Sequence, residues 1–171
     1  MNLTAPTAPG STTVARDAHQ RRPLHLESIL VPLDLSETSR SALRYAVPLA
    51  LQFGARLTLL HVVEPPSPHT PASTGDHIDP PATSLARARL TELYDEEVAP
   101  ELHGQTILRH GCIYDQILSV ARETHADLII TTTHGRTGLR HLLMGSTAEC
   151  IVHGAPCAVL VVREPEDEAE N

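Results

Sequence analysis

Short apolar, β-rich runs alternate along this chain with segments of helical period, and that alternation restricts it to a parallel sheet wound with helices. Ser28-Ile29-Leu30-Val31-Pro32-Leu33 is a nearly continuous apolar run, the pattern of a parallel strand buried on both faces. Ser36 stands where it caps the next segment, in which Ala42, Leu43, Ala46, Val47, Ala50 and Phe53 recur at helical spacing until Gly54 ends it. Pro48 falls inside that helix, lacks a backbone donor and crowds the carbonyl of Arg44, so a kink or opened turn is expected there. Arg56 to Val63 reads as the second strand, Leu85 to Val98 as a helix and Gln105 to Arg109 as the third strand. Ile113, Ile117, Val120 and Ala121 form the stripe of another helix, and Asp127 to Thr132 is the fourth strand. A short helix after Gly145-Ser146 runs to about His153, and Cys157 to Val162 is the fifth strand. The order βαβαβαβαβ with right-handed crossovers predicts a doubly wound, Rossmann-like α/β domain. Its parallel sheet has five strands in the order 3-2-1-4-5, with helices on both faces.

The alternation begins and ends inside the chain. Residues 1–25, rich in Thr, Ala, Pro and Ser, show neither period and read as a flexible N-terminal arm. Residues 26–163 form the domain, and 164–171, with Glu164, Glu166, Asp167, Glu168 and Glu170, form a solvated acidic tail. Residues 64–84 carry Pro65, Pro66, Pro68, Pro71, Pro80 and Pro81 and are expected to be an extended excursion over the surface. A chain of 171 residues suits one core, which needs no disulfide or structural metal at this size. Cys112, Cys150 and Cys157 are an odd set without a CxxC pair, which points to a reducing, cytoplasmic setting. The absence of an 18-residue apolar run, and of an apolar leader at the start, is read as no membrane span and no secretory signal.

A net charge of −8 opposes the phosphate neutralisation that nucleic acids require, and with 2% aromatic residues there is little to build a base-stacking platform. The 11 histidines are scattered, with no HExxH and no carboxylate at ligand spacing, so no metal site is expected from protein ligands alone. Nor is there a GxSxG elbow, a GxxxxGK[ST] loop or a GxGxxG after the first strand. Ligands of open parallel sheets bind beyond the carboxyl ends of the strands where their order reverses. Here that selects Pro32-Leu33-Asp34 and the segment from Thr131 and Thr132 onward. Thr131 to Ala148 contains no acid but holds His134, Arg136, Arg140, His141 and several hydroxyls. Gly135 and Gly145 are expected to let a phosphate approach the main chain, and Ser146-Thr147 opens a helix whose N–H groups favour an anion. A helix dipole supplies only ~0.3–2 kcal/mol, whereas micromolar affinity needs ~8 kcal/mol, so several donors must act together.

Gly135, nine intervening residues and Gly145-Ser146 resemble the nucleotide signature of the universal stress protein family. Ser28-Ile-Leu-Val-Pro-Leu-Asp34-Leu-Ser36, Leu60-His61-Val62-Val63, Ala126-Asp-Leu-Ile-Ile, His134-Gly-Arg-Thr-Gly-Leu and Ala155-Pro-Cys-Ala-Val-Leu-Val-Val162 are similar to its other segments. The resemblance covers about residues 27–163 and implies a five-stranded α/β fold, usually dimeric, with ATP bound by one subgroup and not by another. It implies that Asp34 holds the ribose or adenine side, that Val62 meets adenine through its backbone, and that Gly135, Gly145, Ser146 and Thr147 surround the phosphates. Pro32, Leu33, Thr131, Thr132, His134 and Arg136 complete the candidate nucleotide-binding set. The family's fuller ATP pattern has a further glycine where this chain has Thr132, so that side chain either crowds ATP or offers a substitute hydroxyl.

The expected function is a dimeric stress-response regulator or protective factor that binds ATP or a related adenine nucleotide, with Mg²⁺ carried by the phosphates. The expected dimer contact is the last strand, Val159 to Val162. Two alternatives stand beside it: an interaction protein of the same fold that binds no nucleotide, and a weak ATPase in which Asp34 is the one evident base.

Overall fold

In a computed structural model of the chain, residues 24–65, 80–133 and 145–163 are described. They form β1 (Ser28–Leu33), α1 (Glu37–Arg40), α2 (Leu43–Phe53), β2 (Arg56–Val63), α3 (Pro80–Glu97), β3 (Gly104–His110), α4 (Ile113–Glu123), β4 (Leu128–Thr132), α5 (Ser146–Gly154) and β5 (Ala158–Val162). The strands make one parallel sheet in the order β3-β2-β1-β4-β5, as the alternation predicts.

The pleat sorts strand residues into two cores, because successive side chains point to opposite faces. Ile29, Val31 and Leu33 of β1, Leu57 and Leu59 of β2, and Leu128 and Ile130 of β4 meet Leu43, Ala46 and Ala50 of α2 and Leu90 and Leu93 of α3. On the other face Leu30, Leu60 and Ile129 meet Ile117, Val120 and Ala121 of α4 and Ile151 of α5. A strand that must be apolar on both faces explains the unbroken run at Ser28–Leu33.

The seam between the two halves of the sheet is short. β1 pairs with β2 from Ser28↔Arg56 through Leu33↔His61, but its ladder with β4 holds only Ile29↔Leu128 and Leu30↔Ile129. The lower end of that seam is fastened by Asp127, whose Oδ2 accepts from the Glu27 and Ser28 amides at 2.8 and 3.1 Å. Ser28 Oγ donates to the Thr124 carbonyl at 3.1 Å. Above Leu30 and Ile129 the pairing stops, and a crevice opens between β1 and β4.

Two helical boundaries differ from the sequence expectation. The helix expected after Ser36 is divided at Ser41–Ala42 into α1 and α2, and α2 runs through Pro48. There the Ser41 and Ala42 amides donate three residues back, to the Thr38 and Ser39 carbonyls. Ser41 Oγ also donates to the Thr38 carbonyl and Ser39 Oγ to the Ser36 carbonyl, so hydroxyls compete for the acceptors a regular helix would use. The second difference is α3, which starts at Pro80 rather than Leu85. Residues 80–84 of the proline-rich stretch are therefore helical. Pro80 and Pro81 occupy the first turn, where a missing N–H costs no intrahelical bond.

Candidate functional site

A cavity of about 470 Å³ opens beyond the carboxyl ends of the strands, over the crevice between β1 and β4. Pro32, Leu33 and Asp34 come from the end of β1, Leu60, Val62 and Glu64 from β2, Thr131 to Thr133 from β4, and Gly145 to Ala148 from the start of α5. Nine of the sequence candidates thus meet: Pro32, Leu33, Asp34, Val62, Thr131, Thr132, Gly145, Ser146 and Thr147. His134, Gly135 and Arg136 lie outside the described residues.

The cavity is divided by chemistry. One end is aliphatic, with Leu60 and Val62 on β2 facing Ile113 and Ile117 on α4. Sequence reading assigned Ile113 and Ile117 only to a helix stripe; nothing in a helical period tells core from cavity wall. The other end is polar, with Asp34, Thr131, Thr133 and the first turn of α5. The amides of Ser146, Thr147 and Ala148 precede the first residue able to donate within the helix, Glu149, which bonds the Gly145 carbonyl at 3.0 Å. Glu64 and Ser39 also border the cavity and were not singled out from sequence.

Asp34 sits in a tight turn. Its Oδ1 accepts from the Ser36 amide at 2.9 Å and from Ser36 Oγ, while Ser36 Oγ accepts from the Ser39 amide at 3.2 Å and so caps α1. Leu35 between them has φ +62°, a left-handed conformation that costs an L residue about 1–2 kcal/mol. His61 Nδ1–H donates to the Leu33 carbonyl at 2.8 Å, which ties the end of β2 to the same turn. The turn is thus held from several sides at the point where Asp34 borders the cavity.

Packing supplies a reason for a glycine at 145 beyond the one expected from sequence. Gly145 has φ −70° and ψ 152°, which any residue adopts. A Cβ there would lie 2.8 Å from the Thr133 carbonyl oxygen, the atom to which the Gly145 amide donates at 2.8 Å. The missing side chain therefore lets α5 dock against the end of β4.

The pleat places Thr132 relative to the aliphatic end of the cavity. Thr132 pairs with Val162, whose side chain belongs to the core on the α2 face, together with Ile130 two residues earlier. Thr131 and Ile129 alternate to the α4–α5 face, where Leu60, Val62 and Ile117 line the cavity. Thr132 borders the crevice from the opposite side of the strand, and its side chain does not stand over the aliphatic end. Thr132→Gly is accordingly expected to cost about 1 kcal/mol of stability, as glycine does inside a strand, without strengthening any ligand. Urea denaturation beside a binding titration checks this; tighter binding in the variant refutes it.

Two thiols, Cys112 and Cys150, are exposed, and burial pushes the Cys157 thiol above its ordinary range. Among the described residues no group of three His, Cys, Asp or Glu side chains is placed to hold a metal ion, and no helix is long and apolar enough to cross a membrane.

A parallel sheet wound on both faces, with a half-polar cavity where its strand order reverses, defines a Rossmann-like α/β protein with a ligand-sized crevice. The model of the universal stress protein family matches residues 25–163, and the chain belongs to that family. It is 33% identical over 147 residues to universal stress protein A homolog 1 of Coxiella burnetii, covering 81% of this chain and 97% of the relative. Among solved structures it is similar to universal stress protein UspA from Lactobacillus plantarum, with a TM-score of 0.63, 30% identity, and coverage of 82% and 99%. Two more distant neighbours share the fold: a universal stress protein in complex with cAMP (TM-score 0.59, 20% identity, coverage 82% and 98%) and a family protein from Arabidopsis thaliana with AMP bound (0.57, 16%, 85% and 97%).

Proposed function

We propose that this cavity binds an adenine nucleotide, ATP among them, and that the protein acts in the cytoplasm as a dimeric stress-response regulator or protective factor. The observation that carries the reading is the division of one cavity into an aliphatic end and a polar end that meet at Asp34. An adenine ring lies between Leu60 and Val62 on one side and Ile113 and Ile117 on the other, with the Val62 backbone reading its edge. Asp34 accepts from the ribose hydroxyls. The phosphates meet the Ser146, Thr147 and Ala148 amides and the Thr131, Ser146 and Thr147 hydroxyls. Charge-assisted hydrogen bonds contribute ~1.5–3 kcal/mol each, so four or five reach the ~8 kcal/mol of micromolar binding. Mg²⁺ travels with the phosphates, consistent with an oxygen-loving ion that keeps most of its waters. The AMP and cAMP bound by the two distant neighbours support the adenine assignment.

The test is a calorimetric titration of the intact chain with ATP, AMP and cAMP, preceded by an absorbance spectrum. With no Trp and three Tyr the protein absorbs weakly near 280 nm, so a co-purified adenine dominates at 260 nm. An ordinary protein spectrum together with no heat for any of the three nucleotides overturns the reading in favour of the interaction protein.

For the dimer, β5 is the strand to disrupt. Among the described residues it pairs with β4 alone, and the Val162 carbonyl accepts from the Thr133 amide at 3.0 Å, so the peptide groups of Val162 face inward. By alternation those of Val159 and Val161 face the free edge. Val161→Pro removes an edge donor and leaves the β4 ladder intact. In sedimentation equilibrium the parent chain is expected at twice its 18.5 kDa and the variant at the single-chain mass. A parent that sediments as one chain, or a variant that stays paired, rules out this contact.

A further inference from the structure

We propose that Arg40 is a positioning residue for the cavity, holding the Asp34 turn in place through an ion cluster with the far end of α3. The proposal extends the nucleotide reading above. α1 has only four residues, too few to stand as a helix by itself, yet it follows the Asp34 turn directly and gives Ser39 to the cavity wall. It is bounded by left-handed Leu35 before it and by the tightened turn at Ser41–Ala42 after it. Its amino end is fixed by Asp34 and Ser36. Its carboxyl end is fixed across 57 residues of sequence: Arg40 Nη2 donates to Glu97 Oε1 at 2.5 Å and to Glu96 Oε2 at 3.3 Å, with Glu37 Oε2 3.9 Å from Nη1. The hydrogen bond to Glu97, followed by the charges of Glu97, Glu37 and Glu96, holds the guanidinium above its ordinary range against the desolvation that lowers it. One cation shared among three carboxylates belongs to a network, and networks rather than isolated surface pairs have measurable effects. Arg40 touches no ligand in this arrangement. It acts on α1, α1 on the Ser36 cap, and the cap on the Asp34 carboxylate.

Two readouts test this on the full chain. Hydrogen exchange of the Ser36 and Ser39 amides reports the turn directly, with or without nucleotide. Arg40→Gln is expected to speed both and to weaken AMP binding by up to about fivefold, the equivalent of ~1 kcal/mol. Arg40→Lys, which keeps the cation among the three carboxylates, is expected to retain much of both, and the affinity gap between parent and Arg40→Gln to narrow as salt rises. Arg109→Gln, which breaks the exposed Arg109–Glu123 pair, is the control expected to change neither. Unchanged exchange in Arg40→Gln overturns the proposal, as does a loss in Arg40→Lys as large as that in Arg40→Gln. Faster exchange in a chain that takes up no AMP supports the positioning role and overturns the nucleotide reading instead.

Discussion

Gly145→Val is expected to remove nucleotide binding and to destabilise the fold. A Cβ at this position meets the Thr133 carbonyl oxygen at 2.8 Å, closer than a carbon and a backbone oxygen settle. Neither partner yields cheaply. The oxygen belongs to the residue that follows β4, whose own amide is bonded to Val162, and Gly145 is the residue from which α5 starts. Relief requires α5 to back away from β4, which stretches the 2.8 Å bond between the Gly145 amide and that same carbonyl. Overpacking of this kind costs ~1–3 kcal/mol. The displacement also carries the Ser146, Thr147 and Ala148 amides off the phosphates, and losing two such donors lowers affinity by about a hundredfold or more. Gly145→Ala tests the geometry more finely, because alanine adds the clashing carbon and no further bulk. If calorimetry and denaturant melts show the alanine variant equal to the parent in affinity and stability, the close approach of α5 to β4 is wrong.

Asp34→Ala is expected to lose about tenfold to a hundredfold in nucleotide affinity, corresponding to one charge-assisted contact of ~1.5–3 kcal/mol. Stability falls by ~1 kcal/mol as well, since the Ser36 amide and hydroxyl lose their acceptor and the cap of α1 loosens. Asp34→Asn separates the two roles. Its side-chain oxygen still accepts from Ser36, so the turn survives, while the negative charge offered to the ribose is gone. Denaturant melts of the asparagine variant are therefore expected to match the parent, with affinity reduced nearly as far as in the alanine variant. Parental affinity in Asp34→Asn would show that the carboxylate serves the turn alone.

The doubly wound arrangement was legible because Ser28–Leu33, Arg56–Val63 and Leu128–Thr132 are largely apolar on both faces, and a composition so constrained leaves few alternatives. Most of the candidate site followed from topology: once β1 and β4 are neighbours with a reversal between them, Asp34 and Thr131 must meet. The division at Ser41–Ala42 was not foreseen because the sequence hides the competition; only coordinates reveal that the Ser39 and Ser41 hydroxyls take the Ser36 and Thr38 carbonyls. The start of α3 was missed for a related reason. Pro80-Pro81 is a breaker inside a helix and an initiator at its first turn, and the letters do not say which. Thr132 and Gly145 both border the cavity, but strand parity at the one and the Thr133 carbonyl oxygen beside the other are not spelled in the sequence. Ile113 and Ile117 read only as a helix stripe, because a residue that lines a cavity has the same spelling as one that meets another element of the core.

The two-rung ladder between β1 and β4 makes the domain a pair of unequal leaves, three strands and two, hinged low at Asp127 and parted above. A guest seated in the gap touches both leaves and cross-braces them. Its grip is expected to be felt along that seam, so that occupancy would stiffen the body of the protein as well as fill a hole in it.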